Sequence, residues 1–139
     1  MRVEASMALI ADTGGILVLL DRNHPKHQAA LESLDERLIV PSLILPEVDY
    51  LSSRLPRGAM AAFMRSLLTR EFEYHELDLA DLERANEIML GYSDANVGLV
   101  DAAVVAVAER LNIRRILTID QRHFGLFKPR QLGFLELLP

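Results

Sequence analysis

A chain of 139 residues, half of them hydrophobic and a quarter charged, has the length and composition of one soluble globular domain with a proper apolar core. It contains no cysteine, which excludes disulfides, thiolate-bound zinc and a cysteine nucleophile together. The net charge of −5 excludes nucleic-acid binding by general attraction alone, and no apolar run is long enough to span a bilayer as a helix.

Residues 7–11 are a short apolar run closed by Asp12 and followed at once by Thr13-Gly14-Gly15, the pattern of a buried strand with a sharp turn after it. Residues 16–20 predict a brief helix. A loop over 21–25 follows, and a second helix opens at His24-Pro25 with Ala29, Leu31 and Leu34 inside. Residues 37–40 predict a strand stopped by Pro41. Ser42 is placed to cap a helix carrying Leu45, Val48 and Leu51, in which Pro46 means either a bend or the true start. Residues 59–68 are helical, 73–77 alternate as a strand does, and 80–89 have helical spacing. A loop over 91–98 leads to residues 102–111, an alanine- and valine-rich helix expected to be buried on most sides. Residues 116–119 form a strand ending at Asp120, and 132–138 supply a last one. Strands alternating with helices predict an α/β fold, one domain over residues 1–139, with a mostly parallel sheet covered on both faces.

Charge is unevenly spread. Residues 71–94 carry eight acids against Arg84 alone, whereas residues 110–130 carry six lysines and arginines against Asp120 alone. Two readings stay open on this balance: solvated faces of opposite sign, or a basic patch beside one aspartate.

In a parallel α/β sheet, functional groups gather beyond the carboxyl ends of the strands. Asp12 and Asp120 sit at two such ends. Asp101 lies at the start of the most apolar helix, and Glu47 lies within Leu43-Ile44-Leu45-Pro46 and Val48. Each has a plain structural explanation. Asp12 can satisfy the turn after it, Asp101 can cap its helix, Asp120 can begin a loop, and Glu47 can face solvent from a first helical turn. Together they are harder to explain, because buried carboxylates need partners. No lysine or arginine lies within four residues of Asp12, Glu47 or Asp101. Two carboxylates about 4 Å apart repel by roughly 4 kcal/mol at an effective dielectric of about 20, and a divalent cation turns that repulsion into binding. Oxygen ligands with no His or Cys nearby select hard ions, Mg²⁺ or Mn²⁺ rather than zinc. Such ions support phosphodiester hydrolysis without a protein nucleophile.

Four segments carry a family resemblance. Met7-Ala-Leu-Ile-Ala-Asp12-Thr-Gly-Gly-Ile-Leu resembles the opening of PIN domains, and Leu45-Pro-Glu47-Val-Asp-Tyr-Leu looks like the helix bearing the family's glutamate. Tyr92-Ser-Asp94-Ala-Asn-Val-Gly-Leu-Val-Asp101-Ala-Ala-Val-Val-Ala-Val-Ala-Glu-Arg-Leu is very similar to the third-acid segment of VapC-type toxins. Leu117-Thr118-Ile-Asp120-Gln-Arg-His123-Phe124 resembles their fourth-acid segment.

The resemblance implies a PIN-like three-layer α/β/α sandwich and a Mg²⁺- or Mn²⁺-dependent endoribonuclease acting on single-stranded or looped RNA. It further implies the toxin of a type II toxin–antitoxin pair, held silent by a VapB-like antitoxin whose tail brings a basic side chain to the acids. Carried over position by position, the metal-site and catalytic acids fall on Asp12, Glu47, Asp101 and Asp120. Asp12 and Asp101 are expected to ligate directly, Glu47 to orient water or hold a second ion, and Asp120 to complete the site. Asp94 is a supporting group or a turn residue beside Ser93. Thr13 and Thr118 either hydrogen-bond the acids or serve as ordinary turn and strand residues.

His24, His27, His75 and His123 show no zinc-ligand spacing, and His123 is expected to be packed or solvent-facing. Arg114, Arg115 and Arg122 flank Asp120 and are the expected RNA-backbone contacts. A homodimer, a cytoplasmic location and no membrane association complete the expectation, the first residues (with Arg2 and Glu4) lacking a leader pattern. Three rivals were weighed. An aspartic protease shares Asp12-Thr13-Gly14 but needs an all-β fold. A dehalogenase-type phosphatase wants a second Asp where Gly14 stands. The third is a catalytically silent PIN-like RNA-binding or scaffold module, a state usually reached by losing acids that are all present here.

Overall fold

The computed structural model describes residues 8–35 and 37–139. Met7, which the first apolar run includes, lies outside the described residues. Five strands, β1 (Leu9–Ala11), β2 (Leu38–Pro41), β3 (Glu73–His75), β4 (Arg115–Leu117) and β5 (Glu136–Leu138), form one sheet in the order β3-β2-β1-β4-β5. Every pairing is parallel, with Ile10 opposite both Ile39 and Ile116. The central strands read as continuous apolar runs because both of their faces are covered; β1 and β2 are buried at every position.

Among the described residues seven helices flank the sheet: α1 (Thr13–Leu20), α2 (His27–Glu32), α3 (Leu45–Leu51), α4 (Ala59–Leu68), α5 (Leu79–Gly91), α6 (Leu99–Leu111) and α7 (Gln121–Phe124). They fall into two packing groups, α1 against α2, α3 and α4, and α5 against α6. Right-handed crossovers account for this. The chain first moves outward from β1 to β2 and β3, then returns past β1 to lay down β4 and β5, so the second set of helices covers the other face. The direction reverses between β1 and β4. That switch point, at the carboxyl ends of the strands, is where α/β sheets open a crevice. Among the described residues no helix is long and apolar enough to cross a membrane.

Two local features set up the crevice. In α6 the seven residues from Ala102 to Ala108 are all buried, and their small side chains let the helix sit close to the sheet. Gly15, in the first turn of α1, lies so close to β4 that a Cβ there would stand 2.2 Å from the Leu117 carbonyl oxygen. Only glycine admits that approach.

The expected elements are present, with shifted ends. The first helix begins at Thr13, directly after Asp12, whose side chain accepts the Gly15 N–H and caps it. The second begins at His27 rather than at Pro25, and Leu34 falls in the 3₁₀ turn that follows it. Pro46 marks a true start: α3 opens at Leu45 after a 3₁₀ turn over Ser42–Ile44, while the Ser42 hydroxyl accepts the Leu77 N–H. β4 ends at Leu117, two residues short of Ile119, so Thr118 and Ile119 separate it from Asp120.

The acidic stretch is mostly a solvated face, with six of its eight acids exposed, and its remaining charges are used in local pairs. Asp78 and Asp81 form a capping box at the start of α5, and Asp81 also takes the Arg110 Nε–H at 2.8 Å. Arg84 donates twice to Glu109, and Arg130 reaches Glu87. Two acids of the acidic stretch, Asp81 and Glu87, therefore pair with bases of the basic one.

Candidate active site

Asp12 follows β1 at the switch point and is 4% exposed. Its two oxygens are held separately. Oδ1 accepts the Gly15 N–H at 2.6 Å and Oδ2 accepts the Thr118 hydroxyl at 2.6 Å. Thr118, itself fully buried, also accepts the Asp120 N–H at 2.9 Å, so one hydroxyl ties the end of β1 to the loop after β4. Burial pushes the Asp12 carboxyl up to about 7; the Thr118 and Gly15 hydrogen bonds pull it back, and the charges of Asp101 and Asp120 push it further up.

Asp101 is not the cap of α6. Gly98 holds that position and contributes no side chain, and Asp101 is the third helical residue, in the first turn where the helix dipole favours an anion. Its carboxyl is also raised, first by burial and then by the charges of Asp120 and Glu47, with His123 opposing. Asp120 caps α7, accepting the His123 N–H at 3.1 Å, and is exposed. Glu47 stands exposed in the first turn of α3, outside the apolar setting its neighbours suggest, and reaches the cluster through its charge on Asp101. The four acids come from four separate segments; Asp101 and Asp120 lie at ligand spacing, and Asp12 and Glu47 reach them through their charges. Asp94, exposed in the 3₁₀ turn over Ser93–Ala95, has no such tie to them among the described residues.

His123 corrects the sequence expectation. Its Nδ1 lies 3.1 Å from Asp120 Oδ2 and 3.4 Å from Asp101 Oδ2, and one ligand atom from each of the three residues falls within 4.8 Å of the others. The site is therefore not purely oxygen. The clue was the three-residue spacing from Asp120, which returns a side chain to its own helix cap. Among the described residues, the side chain within 4 Å of both Asp101 and Asp120 is this imidazole and not a lysine or arginine.

Other expectations divide. Thr118 holds a carboxylate as anticipated, but the buried Thr13 hydroxyl has no hydrogen-bond partner. Arg114 and Arg115 do not flank the acids in space. They stand at the opposite end of β4, about 10 Å of strand away. There Arg114 donates to the Leu132 carbonyl and stacks over Phe134 at 4.7 Å, and Arg115 pairs with Glu136 at 3.7 Å. Arg122 alone of the three is on α7, exposed and two residues from Asp120. His27 contacts the Val18 carbonyl and His24 accepts the Lys26 N–H, both away from the cluster.

The donor set fits a hard divalent ion. Three or four carboxylates outnumber one imidazole, the most buried of them carries a charge that burial disfavours, and its two oxygens are pre-oriented.

Comparison with known proteins agrees with this geometry. The model of the PIN domain family matches residues 9–126. Ribonuclease VapC26 of Mycobacterium tuberculosis (strain ATCC 25618 / H37Rv) is 34% identical over 135 residues, covering 94% of this chain and all of the relative. Among solved structures, Mycobacterium tuberculosis VapC20, described as a sarcin-ricin loop cleaving toxin, superposes with a TM-score of 0.76 at 19% identity, over 94% of this chain and 99% of that one. A chain of a toxin–antitoxin complex from Klebsiella pneumoniae superposes with a TM-score of 0.67 at 19% identity, over 92% and 96%. A matching family model over most of the chain and a ribonuclease relative matched along its whole length together assign the chain: it belongs to the PIN-domain family, as a ribonuclease of the VapC type.

Proposed function

We propose that this ribonuclease cuts single-stranded or looped RNA internally, with Mg²⁺ or Mn²⁺ held by Asp12, Glu47, Asp101 and Asp120. One observation carries the reading. Asp12 is almost wholly buried beside Asp101 and Asp120, a like-charge group that a divalent cation would turn from a liability into a binding site. A bound ion would polarise the scissile phosphate and lower the pKa of an attacking water.

The chain's own residues prepare the rest. Thr118 and the Gly15 N–H fix the Asp12 carboxylate, so its free lone pairs face one way without reorganisation. The first turn of α6 and the cap of α7 do the same for Asp101 and Asp120. Glu47, on a different helix, and Asp120 are the exposed acids, open to solvent. His123, between Asp101 and Asp120, softens their repulsion before an ion binds.

The same reading takes residues 1–139 as one domain, cytoplasmic and homodimeric, and as the toxin of a pair. The Klebsiella pneumoniae likeness supports an antitoxin partner, and an acid cluster lacking an arginine would accept one from it. Purified protein should cut RNA internally with Mg²⁺ or Mn²⁺ and stop in EDTA; cleavage indifferent to EDTA, or none with either ion, refutes the site. Expression alone should slow bacterial growth, and co-expression with its genomic neighbour should restore it with a stable complex of the two. Normal growth at high soluble expression would favour a silent scaffold.

A further inference from the structure

Three large aromatic side chains are substantially exposed: Tyr50 at 79%, Phe134 at 61% and Tyr74 at 46%. Phe134 lies under the Arg114 guanidinium, at the end of the sheet remote from the acids. Tyr74 is on the edge strand β3, two strands from β1. Tyr50 differs from both. It sits on α3 three residues after Glu47, a spacing that makes the two side chains surface neighbours about 5–6 Å apart at Cβ. Its ring packs against no other aromatic and its hydroxyl makes no hydrogen bond among the described residues, so nothing in the fold uses it.

What lies next to it is also specific. Leu51, the next residue, and Arg54 and Leu55 beyond the end of α3 line a groove of about 250 Å³ together with Asp21, His24 and Ile119. Ile119 is the residue before Asp120 and packs over Gly14, within reach of Asp12. The groove therefore runs close to Asp12, with Arg54 and Asp21 as the charged side chains along it. Glu47 and Tyr50 on α3 and Arg54 in the 3₁₀ turn after it offer a carboxylate, an aromatic face and a guanidinium in succession along the chain. Those are the parts that hold a single strand beside a cleavage site: a platform for a base and a charge for the next phosphate.

We infer that Tyr50 is a positioning residue for RNA, its ring stacking on an unpaired base adjoining the scissile phosphate while Arg54 contacts the backbone beyond. This rests on the proposed RNA cleavage at the acids. Base–aromatic stacking is tolerant of sequence, so the residue sets strandedness and register rather than base identity. A base inside a duplex has no free face to offer, which would restrict cleavage to unpaired segments.

The test uses the whole protein and a fluorescein-labelled single-stranded oligoribonucleotide of mixed sequence. Tyr50→Ala should raise KM by about ten-fold or more, in keeping with the loss of one stacked base, with kcat, melting temperature and metal half-saturation near wild type. Tyr50→Phe keeps the ring and should restore KM. The chain has three tyrosines and no tryptophan, so an unlabelled oligomer should quench part of the tyrosine emission in the wild type, and that part should vanish in Tyr50→Phe without loss of affinity. Wild-type KM in Tyr50→Ala alongside active cleavage overturns the inference alone. A Tyr50→Ala protein that binds RNA normally but loses self-association or antitoxin binding overturns it in favour of a protein interface. Wild-type protein that does not cut RNA at all overturns both this inference and the proposed function.

Discussion

Replacing Asp12 by asparagine removes the charge from the most buried acid of the cluster while keeping its shape, and the effect on stability has a sign set by pH. In the unfolded chain this carboxyl releases its proton near 3.8; in the fold it does so at about 7. Between those values the folded protein holds a proton that the unfolded chain has lost. Asp12 therefore contributes stability that is fully present below about pH 4, falls as pH rises through that window, and is gone above about pH 7. The displacement corresponds to about 4 kcal/mol of destabilisation in alkaline, metal-free solution.

Asparagine escapes that penalty and keeps its Oδ1 for the Gly15 N–H. It presents an NH₂ to the Thr118 hydroxyl, which already accepts the Asp120 N–H and must turn, at a cost of about 1–2 kcal/mol. The net gain near pH 8 is about 2 kcal/mol, or roughly 6–8 °C in Tm for a chain of this size. Thermal melts followed by circular dichroism in EDTA measure it. Asp12→Asn should melt above the wild type near pH 8, and the advantage should vanish or reverse by about pH 4. Adding Mg²⁺ or Mn²⁺ should raise the wild-type Tm and leave the variant unmoved, while RNA cleavage is lost only from the variant. An Asp12→Asn protein that melts at or below the wild type in alkaline EDTA refutes the argument, because the Asp12 charge would then be compensated by the protein itself.

Gly15→Ala should be severe: the new methyl meets the Leu117 backbone at 2.2 Å, and a loss of about 3 kcal/mol or more in denaturant melts is expected. A wild-type midpoint would mean that α1 does not rest on β4 as described. Thr118→Val removes the donor to Asp12 and the acceptor for Asp120, and should weaken metal activation of cleavage by about 10–100-fold; an unchanged half-saturation in a metal titration contradicts it. Arg122→Ala should weaken RNA binding and lower the salt slope of affinity by about one. Arg114→Ala should lower the Tm but leave RNA affinity alone, and equal effects of the two on binding would show that the remote end of β4 also touches RNA.

The sequence by itself determined the elements and the positions of the acids. Apolar runs of strand length, helical spacing over 59–68 and 80–89, and Gly-Gly directly after Asp12 are local signals, decided by backbone sterics and by what a few neighbouring side chains permit. The four acids stood out as candidates because their segments follow a family pattern. What each acid experiences was not legible. Asp12 is held by Thr118, 106 residues away, and not by the adjacent Thr13. Glu47, set among apolar residues in the chain, is exposed, because its neighbours face the core while its own helix position turns outward. Sequence adjacency put Arg114 and Arg115 beside Asp120, but a strand is extended, and a few residues along it carry a side chain to the other end of the sheet. The ion pairs of Asp81 with Arg110 and of Arg84 with Glu109 form only because α5 and α6 pack together. Burial and charge pairing depend on which segments meet across the whole chain, and that is settled when the sheet closes around its switch point.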